Sequence, residues 1–229
     1  MKTLKSSCTV LIAAIAVAGT ACLLRAQEAP KAPAAPAAKA EHKPVPLFDG
    51  RTFDGWEGDT QKSFRIEDKA IVGGAMKERI PRNEFLCTTR SYENFILRVE
   101  CKLVGPANGG IQVRTKRIAN SREVSGYQAD MSADPNGGEW GCLYDESRRG
   151  RLVHASRDVI QKALKPNDWN LCEIRCEGPH IRLLLNGVQT VDYTEKDDKI
   201  PRSGIIAVQV HEGAASETWY RKITIEELP

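Results

Sequence analysis

The chain has 229 residues, with 33 Lys and Arg against 30 Asp and Glu and a formal charge of +3. That length holds one sizeable domain or two small ones. The near balance leaves Arg148-Arg149-Gly150-Arg151 as its one dense basic cluster. Nucleic acid, which needs a basic stripe with interleaved aromatics, is therefore not an expected partner.

Lys2 and Lys5 precede an apolar run from Val10 to Val17, then small residues and Ala26. This is the layout of a secretory signal peptide over 1–26, too short in its apolar part to span a bilayer. The chain is expected to be exported, periplasmic or secreted, with no transmembrane helix in its mature form. Cleavage before Cys22 is the competing site and would give a lipoprotein, although Gly19 stands where a large apolar residue is usual. Residues 27–46 follow as a Pro/Ala-rich linker. Pro30, Pro33, Pro36, Pro44 and Pro46 block helix and remove donors, and little apolar mass is present to form a core.

From 47 to 229 the pattern is that of strands. Phe64 and Ile66 lead through an Asp68-Lys69 turn to Ile71. Phe95, Leu97, Val99, Cys101 and Leu103 alternate with Ile96, Arg98, Glu100 and Lys102. Gly178-Pro179 and Asn186-Gly187 punctuate Trp169 to Tyr193 into hairpins. Ile205 to His211 and Trp219 to Glu226 close the chain, and Arg157 to Leu164 is the one helical stretch predicted. Many short strands with Gly, Pro and Asn turns predict an all-β sandwich or jelly roll. Five cysteines fall in this domain, with no pairing deducible from spacing.

Three strands carry a glutamine beside an ionisable group: Gln112 with Arg114, Gln128 with Asp130, and Gln209 with His211. Successive side chains on a strand alternate faces, so each strand offers one packing face and one such polar face. A wetted antiparallel sheet is the bland explanation. Planar amides with Arg and Asp suit a hydroxyl-rich ligand better than the usual Lys, Glu, Thr and Ser.

Several blocks in order, L-F-D-G-R-T-F-D-G-W (47–56), I-P-R-N-E-F-L (80–86), N-G-G-I-Q-V-R (108–114), G-Y-Q-A-D (126–130), L-Y-D-E-S-R-R (143–149) and the Trp169 to Tyr193 segment, resemble the 3-keto-disaccharide hydrolase family. That family is also described as 3-keto-glucoside 1,2-lyase and 3-keto-2-hydroxyglucal hydratase. The resemblance implies a concanavalin A-like jelly-roll sandwich of two antiparallel sheets acting on sugars already oxidised at C3. A separate glycoside 3-dehydrogenase would supply the ketone, since no dinucleotide fingerprint is present. A non-catalytic carbohydrate-binding module of the same fold is the alternative, and a surface adhesion domain on the tether a third.

A C3 carbonyl acidifies the C2 hydrogen, so a base removes it, the C1 substituent leaves, and water adds back. Asp130, Glu84 and His211 are the expected catalytic groups. Gln112, Arg114, Tyr127, Gln128, Tyr144, Glu146, Arg148 and Gln209 are the expected substrate contacts. Asp145 and Glu146 are adjacent, so at most one of them faces a site. The paired carboxylates of an ordinary glycosidase have no matching Glu-x-Asp-x-x-Glu spacing. Asp130, Glu146 and His211 would be acceptable ligands for a divalent cation, but no ligand-spacing motif assigns one and no cofactor is expected.

Overall fold

The computed structural model describes residues 43–133 and 139–229. The signal peptide and the linker up to residue 42 lie outside the described residues. In chain order the strands are β1 (Val45–Pro46), β2 (Trp56–Glu57), β3 (Phe64–Glu67), β4 (Ala70–Ala75) and β5 (Glu84–Tyr92). Then come β6 (Phe95–Val104), β7 (Asn108–Arg117), β8 (Val124–Ser132), β9 (Leu143–Glu146) and β10 (Gly150–Val153). A short helix, α1 (Arg157–Ala163), precedes β11 (Asn170–Glu177), β12 (His180–Leu185), β13 (Val188–Thr194), β14 (Gly204–Val210) and β15 (Ser216–Glu227).

Two antiparallel sheets form the predicted sandwich. One runs β13-β12-β11-β6-β15-β4-β3, with β1 also on β15; the other runs β10-β9-β8-β7-β14-β5-β2. Val45 pairs with Ile225, so the last residues of the expected linker join the sandwich. The core lies between the sheets because each strand turns alternate apolar residues inward. Leu97, Val99, Ile174 and Leu183 from the first sheet meet Leu86, Ile111, Tyr127, Met131 and Val208 from the second, all buried. Across the solvent side of β6 the polar alternates pair with neighbours, as in Arg98 to Glu173 at 2.7 Å and Arg221 to Glu100 at 2.7 Å. Such half-exposed pairs each contribute about 0–1 kcal/mol; inward apolar burial dominates.

The predicted hairpin at Asn186-Gly187 has φ of 50° and 83°. Positive φ at both positions is what the two-residue hairpin turn demands, and Asn and Gly tolerate it. Ser156 caps α1 by accepting from the Val159 N–H. No described helix is long and apolar enough to cross a membrane.

Candidate functional site

The outer face of the second sheet carries the amides. Register places Cys87, Ala207, Gln112, Gln128 and Tyr144 in one row across β5, β14, β7, β8 and β9. The adjacent row is Phe85, Gln209, Gly110 and Asp130. Because strand side chains alternate, all of these project away from the core. They are nonetheless sealed: Gln112 and Gln209 are 0% exposed, Gln128 3% and Asp130 7%. The Gln112 Nε2 donates to Gln128 Oε1, and Gln128 Nε2 donates to Asp130 Oδ1 at 3.1 Å. The Met131 N–H also donates to Oδ1, at 3.0 Å, so both bonds fall on one carboxylate oxygen.

Gln112 Oε1 and both polar atoms of Gln209 have no well-aligned partner among the described residues. A buried polar group left unsatisfied costs about 1–3 kcal/mol. Three such atoms on one face are what a site built for a polar ligand looks like.

The electrostatics select Asp130. Burial, then the Glu139 charge, push its pKa from 3.8 up to about 7, against the opposing bonds from Met131 and Gln128. A carboxylate titrating there is poised as a base at neutral pH. Glu146 is also raised, by burial and then by Glu123; the Ser147 N–H, His211 and the Gln209 amide oppose the shift. Glu146 therefore interacts with the Gln209 amide and with the charge of His211. His211 sits just past β14, where its N–H bonds Asn108 O at 3.1 Å and its Nδ1 lies 2.8 Å from Glu212 O.

Other expected site residues go elsewhere. Arg114 was expected beside Gln112, but it occupies a bulge between Val113 and Lys116 with φ of 49°. The bulge turns its side chain off the amide face, onto Glu93 O at 3.0 Å and Gly178 O at 2.6 Å. Tyr127 faces the core and donates to Glu195 Oε2 at 2.6 Å. Arg148 holds Asp145 at 2.6 Å and lies 5.0 Å from the centre of the Tyr127 ring. Asp145 itself, 0% exposed, opposes Tyr127 in register. Glu146 points the other way, as expected of adjacent strand residues. These inward groups lock β9 rather than join the amide face.

Glu84 opens β5 and is gripped by Arg82 at 2.8 Å and Arg122 at 3.0 Å. It lines a cavity of about 670 Å³ with Glu57, Asp59, Phe85 and Arg117. Phe85 and Asp130 are three strand spacings apart, roughly 14 Å. This cavity therefore flanks Asp130 rather than covering it. Its Glu57 and Glu84 are bound to arginines, so it offers recognition more readily than proton transfer. Among the described residues no group of three or more His, Cys, Asp or Glu could hold a metal ion, so Asp130, Glu146 and His211 do not form the mixed ligand set considered above.

Three positioning residues are absent from the sequence expectation. Tyr220, on β15 of the opposite sheet, reaches through the core and donates to Gln209 O at 2.6 Å. Thr218 donates to the same oxygen at 3.2 Å. Gly110 leaves room for an amide: a Cβ there would stand 2.4 Å from Gln128 Cδ. A glycine inside a strand marks such close approach, and this was the available signal. Gly110→Ala is expected to displace the Gln128 amide and cut ligand turnover by about 10²-fold, the usual scale for a misplacement near 1 Å. An unchanged thermal midpoint alongside that loss would show that the effect is local.

The fold and this face define a jelly-roll sandwich domain with a buried carboxylate–amide cluster on one sheet. Residues 43–226 match the 3-keto-alpha-glucoside-1,2-lyase-like domain, and the chain belongs to that family. Its activity is accordingly carbohydrate-related. The chain is similar to a candidate glycosyl hydrolase from Parabacteroides distasonis ATCC 8503, at 21% identity over 81% of this chain and 100% of that one, TM-score 0.61. It is similar to the carbohydrate-binding module CBM66 from Bacillus subtilis, at 14% identity over 76% and 96%, TM-score 0.56. A Bacillus licheniformis beta-glucanase shares the fold at 7% identity over 82% and 98%, TM-score 0.55. No curated protein matches the chain.

Proposed function

We propose that this domain cleaves 3-keto-glycosides or 3-keto-disaccharides by elimination and hydration, outside the cytoplasm. The observation that carries this is Asp130, a buried carboxylate with a pKa of about 7, beside Gln112 and Gln209, whose amides keep polar atoms without a well-aligned partner. Its carboxylate takes the C2 hydrogen as a proton. The electron pair moves into the C2–C3 bond and onto the C3 oxygen, where amide N–H groups of the glutamine rows, Gln209 first, stabilise the enolate. As the enolate collapses, the C1–oxygen bond breaks. Glu146, raised by burial, supplies the proton to the leaving oxygen. Addition of water across the resulting C1–C2 double bond returns a proton to C2 and completes net hydrolysis. Phe85 and the arginine-lined cavity next to Gln209 receive the second sugar. A glycoside 3-dehydrogenase is the class of enzyme that would produce the substrate.

Gln209→Leu is expected to lower kcat by about 10²-fold, the usual cost of losing one oxyanion donor, while leaving the unfolding midpoint unchanged or higher, because the Gln209 amide is buried without a well-aligned partner. An unchanged kcat would remove Gln209 from the enolate site. The likeness to a carbohydrate-binding module favours a second reading, a sugar binder without turnover. Incubation with a 3-keto-glucoside separates the two. Release of the free 3-keto-sugar or of the unsaturated intermediate supports the enzyme, and saturable binding with neither product supports the binder.

A further inference from the structure

Among the described residues the buried Arg114 guanidinium is hydrogen-bonded to no carboxylate. The residue is 4% exposed, and its guanidinium donates to Glu93 O at 3.0 and 2.8 Å, Gly178 O at 2.6 Å and Asn94 Oδ1 at 3.3 Å. Every one of these acceptors is neutral. A guanidinium has five N–H donors, so one on Nη1 is left over. Arginine stays protonated even where burial pulls its pKa down. Glu93 offsets part of that charge through space, and a buried charge without a hydrogen-bonded counter-ion is expensive.

Its surroundings add more positive charge. Arg114 lines a cavity of about 410 Å³ at one end of the second sheet, together with Lys116, Arg117 and Arg148. Glu57 is the one carboxylate in that lining, and Arg117 already holds it at 2.6 Å; Arg148 is likewise held by Asp145 at 2.6 Å, which leaves Arg114 and Lys116 as the charges open to an anion. Lys116 is exposed and makes no ion pair among the described residues. Low-dielectric walls focus the field of such a cluster and draw in anions. The backbone at Arg114 sits at φ of 49°, a region that costs a non-glycine residue about 1 kcal/mol or more. The bulge turns the side chain off the amide row.

We propose that the cavity is an oxyanion-binding subsite that takes a sulfate or phosphate group, with room for the saccharide that carries it. Arg114 supplies the fixed charge and Lys116 the mobile one. The subsite is independent of the reaction proposed above, since its test reads binding and not turnover.

Inorganic sulfate and inorganic phosphate are titrated separately into the full chain by calorimetry, with sodium chloride at matched ionic strength as the control. A saturable, single-site heat for either anion, absent with chloride, is expected; whichever binds tighter identifies the source. Lys116→Glu should weaken that binding tenfold or more, and Lys116→Arg should keep it within about threefold. Because Lys116 is exposed, neither change threatens the fold. Heats indistinguishable from chloride for both anions overturn the proposal, and so does a Lys116→Glu affinity within threefold of the parent.

Discussion

Asp130→Asn is expected to lower turnover of a 3-keto-glycoside by about 10²- to 10⁴-fold, the usual contribution of a positioned general base, while making the protein more stable at alkaline pH. The second half follows from linkage. Asp130 is raised from 3.8 to about 7 in the folded state, so between those values the folded chain holds a proton that the unfolded chain has lost. Stability from this group is complete below about pH 4, falls as pH climbs, and is gone above about pH 7. At one pK unit per 1.36 kcal/mol, the loss is at most on the order of 4 kcal/mol. Asn cannot ionise and avoids it. Denaturant unfolding of parent and variant should therefore diverge by a few kcal/mol at about pH 8 and converge at about pH 4. The parent's kcat/KM should rise with pH through about 7. A variant less stable than the parent at pH 8 would mean that Asp130 is a structural anion, not a strained base.

Asp145→Ala is expected to destabilise the fold by about 3–5 kcal/mol, the scale for breaking a buried ion pair from one side. Asp145 is 0% exposed and takes Arg148 at 2.6 Å and Arg149 at 2.5 Å, and Arg149 continues to Glu195 at 2.7 Å. Tyr127 and Tyr193 also donate to Glu195, at 2.6 and 3.0 Å. That network holds Glu195 far below the usual carboxylate range, with Arg149 the largest of the favourable contacts that overcome its burial. Removing Asp145 strands Arg148, leaves Arg149 with Glu195 alone, and loosens β9, whose Tyr144 and Glu146 lie on the amide face, so turnover falls as well. Asp198→Ala is the control. Its ion pair with Arg202 at 3.0 Å leaves Asp198 91% exposed, and its loss should leave the denaturation midpoint unchanged. Equal midpoints for both variants would contradict the buried network.

The sandwich was legible because period-two alternation is a backbone property. Phe95 to Leu103 alternates in sequence, and its inward residues are buried. Gln112, Gln128 and Gln209 could be assigned to polar faces for the same reason. Their meeting on one sheet depends on strand order, with β14 inserted beside β7, and alternation carries no information on that. Arg114 shows where parity fails. One bulge shifts the register between Val113 and Lys116, and the side chain leaves the face that counting assigns to it. Tyr127 and Arg148 lie off the amide face for another reason. An aromatic or an arginine on a strand has the same identity whether it meets a ligand or a buried Glu195, and only tertiary contacts separate the two. Glu139, which acts on Asp130, lies in a turn where no periodicity singles it out.

The most direct test follows the C2 hydrogen on a 3-keto sugar that has no group to expel, 3-keto-1,5-anhydroglucitol, in deuterated water by proton NMR. The parent protein should exchange that hydrogen for deuterium at neutral pH, and Asp130→Asn should bind the sugar but exchange it at least about 10²-fold more slowly. Bound sugar that keeps its C2 hydrogen, or exchange that continues undiminished in Asp130→Asn, would contradict Asp130 as the base.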